Sequence, residues 1–246
     1  MIDFKKLIVK KQELDKYRPL PPELEKNLDD WFRIELTYTS NAIEGNTLSR
    51  QETAQIVEKD ITVEGKTLRE HIEAKNTAEA YDFIKTIVNK KKIAENDILD
   101  IHRIVLQKID DRNAGKYRNI AVRIAGSEVI LPNSMKVPEL MGEFAAWLNQ
   151  AKEHPVKIAL DAHFKLVSIH PFTDGNGRAA RLLMNLVLLI NGYIPIFIKK
   201  EDRRKYISAI EKGQLTGDLD DYYEFLCLAE EKAVDIYLDA VKNKVK

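Results

Sequence analysis

The run His170-Pro171-Phe172-Thr173-Asp174-Gly175-Asn176-Gly177-Arg178-Ala179-Ala180-Arg181 gathers the groups that phosphate chemistry needs. Gly175 and Gly177 lack a Cβ, so the backbone there can turn tightly and come close to a ligand. From Arg178 the pattern is helical as far as Asn191-Gly192. The loop therefore feeds a helix N-terminus, where unpaired N–H groups and the macrodipole favour an anion. Arg178 and Arg181, three residues apart, share one helical face and can both reach that anion. His170 suits a general base at neutral pH. Asp174 suits a hard cation.

Each of these residues alone has an ordinary structural explanation. A histidine before proline ends helices, Asp-Gly and Asn-Gly are turn pairs, and paired arginines on a first helical turn are usually solvated. Their convergence on one anion site is what points to function. The run resembles the signature of the Fic family, His-Pro-Phe-x-x-Gly-Asn-Gly-Arg-x-x-Arg, at all eight fixed positions, with the usual acid present as Asp174. The looser resemblance extends from Trp31 to Leu226. It implies a mainly α-helical Fic domain with one small β-hairpin flap, and a protein adenylyltransferase that moves AMP from ATP to a hydroxyl side chain.

The same resemblance assigns roles. His170 would deprotonate the acceptor hydroxyl, and Asp174 would hold Mg²⁺ or Mn²⁺. Gly175, Asn176 and Gly177 would cradle phosphate oxygens, with Arg178 on the β-phosphate and Arg181 on the γ-phosphate. Phe172 would anchor the loop. Tyr206 would contact the adenine.

A second stretch, Ser40-Asn41-Ala42-Ile43-Glu44-Gly45, ends a helical pattern. Gly45 closes that helix, and a carboxylate at a C-terminus is mildly unfavourable, so Glu44 calls for a specific partner. The stretch is similar to the family's inhibitory pattern Ser/Thr-x-x-x-Glu-Gly/Asn, and its place upstream of the signature marks the second autoinhibited class. The resemblance implies that Glu44 pairs with Arg181 and competes with the γ-phosphate, since a guanidinium takes either anion in the same bidentate way.

The elements that must position these groups follow from punctuation. Pro19-Leu20-Pro21-Pro22 separates an N-terminal arm, residues 1–30 with a helix over 1–18, from a main domain over 31–246. The domain begins with an inhibitory helix about 31–45, the end of a helix that starts near Glu23. Ser49-x-x-Glu52 and Thr67-x-x-Glu70 are capping boxes that open helices near 50–59 and 68–90. Asn96-Asp97 opens another, through Lys108. Pro138 and Pro155 start helices to about Lys152 and to Ile169, the second delivering His170. A helix over 200–212 and a closing helix over 219–245 follow, the latter with a solvated tail. His71, His102 and His163 read as packed histidines.

Val122, Ile124, Val129 and Leu131 alternate about Gly126-Ser127, which predicts a hairpin. The resemblance makes residues 117–132 the flap that holds a target protein's Ser, Thr or Tyr by strand addition.

Composition limits the partners. Among 246 residues, 39 Lys and Arg balance 39 Asp and Glu, so no global field draws the chain to nucleic acid. The single Cys227 excludes an internal disulfide or a cysteine metal site. The apolar run over 182–198 is broken by Asn185, Asn191-Gly192 and Pro195, which speaks against a membrane span, and the absence of a secretory pattern makes the cytoplasm the expected location. Self-modification and a homodimer that masks the site fit the resemblance. Alternative readings are removal of AMP by the same site, transfer of another nucleotide or phosphate group, and a non-enzymatic nucleotide-sensing module.

Overall fold

Proline, glycine and capping residues divide the chain into ten α-helices among the described residues, which in this computed structural model are 4–90 and 92–244. They are α1 (Lys5–Asp15), α2 (Pro22–Ile43), α3 (Arg50–Lys59), α4 (Leu68–Thr86), α5 (Glu95–Leu106), α6 (Val137–Leu148), α7 (Pro155–Ile169), α8 (Asn176–Ile190), α9 (Arg203–Thr216) and α10 (Asp220–Lys244). The parts of the first helix expected at residues 1–3, and of the tail at 245–246, lie outside the described residues.

The local signals explain most boundaries. Both capping boxes form with reciprocal bonds, Ser49 with Glu52 and Thr67 with Glu70. Pro22, Pro138 and Pro155 occupy first-turn positions, where a missing N–H costs nothing. The centre of the fold is α8, whose residues 178–188 are all buried, including Arg178, Arg181 and Asn185. It packs along α7 and also meets α2, α4 and α5. A second apolar cluster joins Leu14, Leu20, Leu24, Leu28 and Phe32 to Ala233, Val234, Tyr237, Leu238 and Val241, tying the N-terminal helices to α10.

The hairpin expectation needs correction. No described residue belongs to a strand, and residues 117–132 form an extended loop. A turn does form at the predicted place, with Gly126 at φ 77° and Ser127 N–H donating to the Ile124 carbonyl at 3.1 Å. Inward alternation survives as well: Val129 is 6% exposed and Ile130 82%. Pairing between the arms does not form. Two strands alone are marginal in water, and here other groups take their polar atoms. Glu211 accepts from the Ser127 hydroxyl at 2.6 Å, and the buried Arg118 donates to the carbonyls of Ile120 at 3.0 Å and Pro132 at 2.6 Å.

Candidate active site

The signature loop is built between the end of α7 and the start of α8. His170 caps α7 in the left-handed region, φ 49° and ψ 59°, uncommon for a residue with a Cβ. Its own N–H donates to Leu166 O at 2.9 Å, and Arg118 Nε donates to its carbonyl at 2.8 Å. The backbone N–H of Arg118 also donates to Pro171 O at 2.9 Å. Arg118 thus pins both ends of the 120–132 loop to the backbone of the expected base. Burial is the main cause that lowers the His170 pKa below 6.5, and the nearby Arg118 charge adds to it. A neutral imidazole able to accept a proton results.

Asn176 braces the loop from within. Its side-chain oxygen accepts from Phe172 N–H and its amide donates to Phe172 O, both at 2.9 Å. These two bonds commit the Asn176 carbonyl oxygen and one of its two amide protons to holding the loop. Phe172 is fully buried and stacks on His102 with ring centroids 3.5 Å apart. His102 packs, as expected, and it also shapes the loop. Gly115 N–H donates to its Nδ1, so its Nε2–H donates to Asp174 O, each at 3.0 Å. Burial holds the His102 pKa down at about 4, consistent with that neutral tautomer. Gly175, at φ 75°, turns the chain into α8.

Asp174 is half-exposed and surrounded by cations. Its Oδ2 accepts from Arg69 Nη2 at 3.0 Å, and its Oδ1 lies 3.6 Å from Arg178 Nη2. Glu73 completes the group, 3.5 Å from Arg178 Nη1 and 3.1 Å from Arg69 Nε. Arg178 is 1% exposed, so these two carboxylates balance a charge that would be costly to bury alone.

Arg181, three residues further along α8, meets the end of α2. Its Nη2 donates to Glu44 Oε1 at 2.6 Å and to Ser40 O at 3.0 Å, and its Nε donates to Ser40 Oγ at 2.9 Å. The pairing expected between Glu44 and Arg181 is therefore present. Gly177 makes room for it, because a Cβ there would collide with Glu44 Oε1. Gly45 turns the chain away at φ 99°. Arg203 Nε donates to Ile43 O at 2.6 Å, so a cation caps the same helix end that carries Glu44.

Tyr206 departs from its expected place. It is 1% exposed and its hydroxyl faces His163 Nε2 at 2.6 Å, so its ring lies beneath Arg181 and offers no surface to a base. The desolvated interior of the α7–α8–α9 packing holds it there. Sequence reading missed Arg69, Glu73, Arg118 and Arg203. Arg118 falls within Gly115-Lys116-Tyr117-Arg118-Asn119, read only as the opening of the flap, and the others belong to helices with no local signal of their partners.

The chain is similar to several known proteins. The Fic/DOC family profile matches residues 92–188. A protein adenylyltransferase Fic of Aedes aegypti is 40% identical over 215 residues, 85% of this chain and 42% of that protein. This chain spans less than half the length of the curated relatives it matches. Among solved structures, Fic-1 of C. elegans superposes with a TM-score of 0.88 at 31% identity, covering 98% of this chain and 73% of that one. A Fic domain containing signaling protein of Bacteroides thetaiotaomicron gives 0.85 at 28% identity, covering 98% and 97%.

Proposed function

This chain belongs to the Fic/DOC family, and on that premise we propose that it transfers AMP from ATP to a hydroxyl side chain of a protein, restrained by Glu44 at Arg181. The observation that carries the proposal is the ion pair itself. A carboxylate donated by α2 occupies a guanidinium one helical turn into an anion-binding N-terminus, in the place a terminal phosphate would take.

In the transfer, His170 accepts the proton of the Ser, Thr or Tyr hydroxyl. That oxygen bonds to the α-phosphorus as the bond to pyrophosphate breaks, and pyrophosphate leaves with both electrons of that bond. The first-turn N–H groups of α8 receive phosphate oxygens, with Arg178 at the β-phosphate and Arg181 at the γ-phosphate once Glu44 has left. The loop over 117–132 presents the acceptor segment, and Arg118 keeps it in register with His170.

The donor set suits Mg²⁺ or Mn²⁺. Among the described residues no group of three or more His, Cys, Asp or Glu gathers as a metal cage, and Asp174 offers one half-exposed carboxylate beside the phosphate site. One carboxylate with substrate phosphates is an ordinary arrangement for such an ion, which would offset triphosphate charge. Arg69 holds that carboxylate in the meantime.

The test is intact-mass measurement of the Glu44→Gly chain after incubation with ATP and Mg²⁺, alone and with a lysate. An AMP-sized addition on this chain or on a captured protein is expected. A folded Glu44→Gly chain that transfers nothing would remove the autoinhibition and leave the site without its assigned reaction.

A further inference from the structure

Beneath Arg181 lies a row of buried polar side chains that the transfer reaction does not use. Tyr206 is 1% exposed, and His163 and Tyr222 are fully buried. Three such groups carry a desolvation cost that Phe and Leu would avoid, and that cost is met only if every donor finds an acceptor.

The direction of each bond can be deduced. The Leu160 carbonyl cannot donate, so the single Tyr222 proton points to it, across 2.8 Å. The Tyr222 oxygen must then accept from His163 Nδ1, 2.8 Å away, which places the His163 proton on Nδ1. Complete burial keeps this imidazole neutral by lowering its pKa to about 3, so Nε2 carries only a lone pair. Tyr206 therefore donates its proton to Nε2 across 2.6 Å. Its oxygen turns its lone pairs outward, toward the Arg181 guanidinium, and the two interact electrostatically.

We infer that Tyr206 and His163, anchored by Tyr222 and Leu160 O, are positioning residues that aim the Arg181 guanidinium at the terminal phosphate. The chain of bonds runs one way only, from Tyr206 through His163 and Tyr222 to a helix carbonyl, and it leaves the Tyr206 oxygen facing the Arg181 charge. Ser40 and Glu44 hold Arg181 from the α2 side, and both contacts weaken if that helix end withdraws. The tyrosine–histidine row belongs to α7, α9 and α10, so it keeps the guanidinium in place when Glu44 is gone. The inference rests on the reading of Arg181 as the γ-phosphate group.

Calorimetry of the 246-residue Glu44→Gly chain with α,β-methylene-ATP and α,β-methylene-ADP reads the effect, since neither probe can give up AMP. Adding Tyr206→Phe should weaken the triphosphate about tenfold, the scale of one hydrogen bond to a charged group, and the diphosphate less than about twofold. His163→Gln, which can offer an amide oxygen where Nε2 stood, should keep most of the triphosphate affinity, whereas His163→Asn should behave as Tyr206→Phe. Equal losses for both nucleotides, or none, in folded variants would overturn the inference. Side-chain ¹H–¹⁵N spectra of the unaltered chain give an independent check: His163 should be the Nδ1–H tautomer, and an Nε2–H tautomer would overturn the inference even if Tyr206→Phe fails to fold. Should Glu44→Gly bind the two nucleotides alike, the γ-phosphate role of Arg181 falls instead, and the tautomer alone decides the bond chain.

Discussion

Glu44 and Gly177 share one small space: Glu44 Oε1 sits where a side chain at 177 would begin, and from there it reaches Arg181 Nη2 at 2.6 Å. The Glu44–Arg181 contact is thus fitted to Gly177 as well as to the arginine it pairs. Gly177 is helical, not in a positive-φ conformation, so its lack of a side chain answers to space and not to backbone freedom.

Gly177→Ala should therefore change sign with its background. In the unaltered chain the added methyl displaces Glu44 and should lower stability by about 1–3 kcal/mol, as overpacking does. In Glu44→Gly the obstacle is gone, the nearest remaining atom is the flexible end of Arg181 at 3.0 Å, and Ala is the better helix residue by about 0.5–1 kcal/mol. Thermal unfolding of the four chains measures the coupling; additive effects would mean that Glu44 is not confined by Gly177 in solution.

Relief of inhibition should scale with charge. Glu44→Gly removes the carboxylate, and a coupling of about 1–3 kcal/mol would raise affinity for the productive ATP pose by roughly 5- to 150-fold. Glu44→Gln keeps the shape and one acceptor but no charge, so its gain should lie between. Titration with a fluorescent ATP analogue orders the three chains, and Gln as tight-binding as Gly would assign the whole effect to charge.

With His170 as the proposed base, the acid limb of the transfer rate should report its titration. Its pKa is lowered, chiefly by burial, so the neutral base persists below 6.5 and activity should be lost only at more acidic pH. Arg118→Gln removes a cation that helps depress this pKa, so the limb should move upward as maximal rate falls. His170→Ala should abolish labelling from α-phosphate-labelled ATP yet leave nucleotide binding intact. A limb midpoint above 6.5 in Glu44→Gly would show that burial does not govern the base.

Much of this arrangement was readable in advance because its signals are local. Capping boxes, first-turn prolines and apolar period fix α3, α4 and α7 from neighbouring residues, and the anion loop lies within twelve consecutive positions. Glu44 and Arg181 are 137 positions apart, and only the family resemblance joined them. The contacts that went unread are those whose partners are backbone carbonyls or distant helices. Arg118 donates to His170 O, Ile120 O and Pro132 O, which no side-chain pattern encodes. The same bonds explain why an alternating stretch did not become a ladder. Tyr206 was misplaced for a related reason, because its partner His163 lies 43 positions earlier on another helix.

Glu230 offers a test far from the anion site. It is 0% exposed on α10, and neither carboxylate oxygen has a hydrogen-bond partner among the described residues. Burial raises its pKa well above the usual 4.5, so the folded chain holds this proton more tightly than the unfolded one. Its favourable protonation is fully present below 4.5, and the associated stability is lost as pH rises through the folded value. Glu230→Gln carries no such proton. The melting temperature of Glu230→Gln minus that of the unaltered chain should thus be small below pH 4.5 and should grow as pH rises above it. A constant difference from acid to alkaline pH would mean that Glu230 ionises in the fold as easily as in water, and that a partner or solvent reaches it.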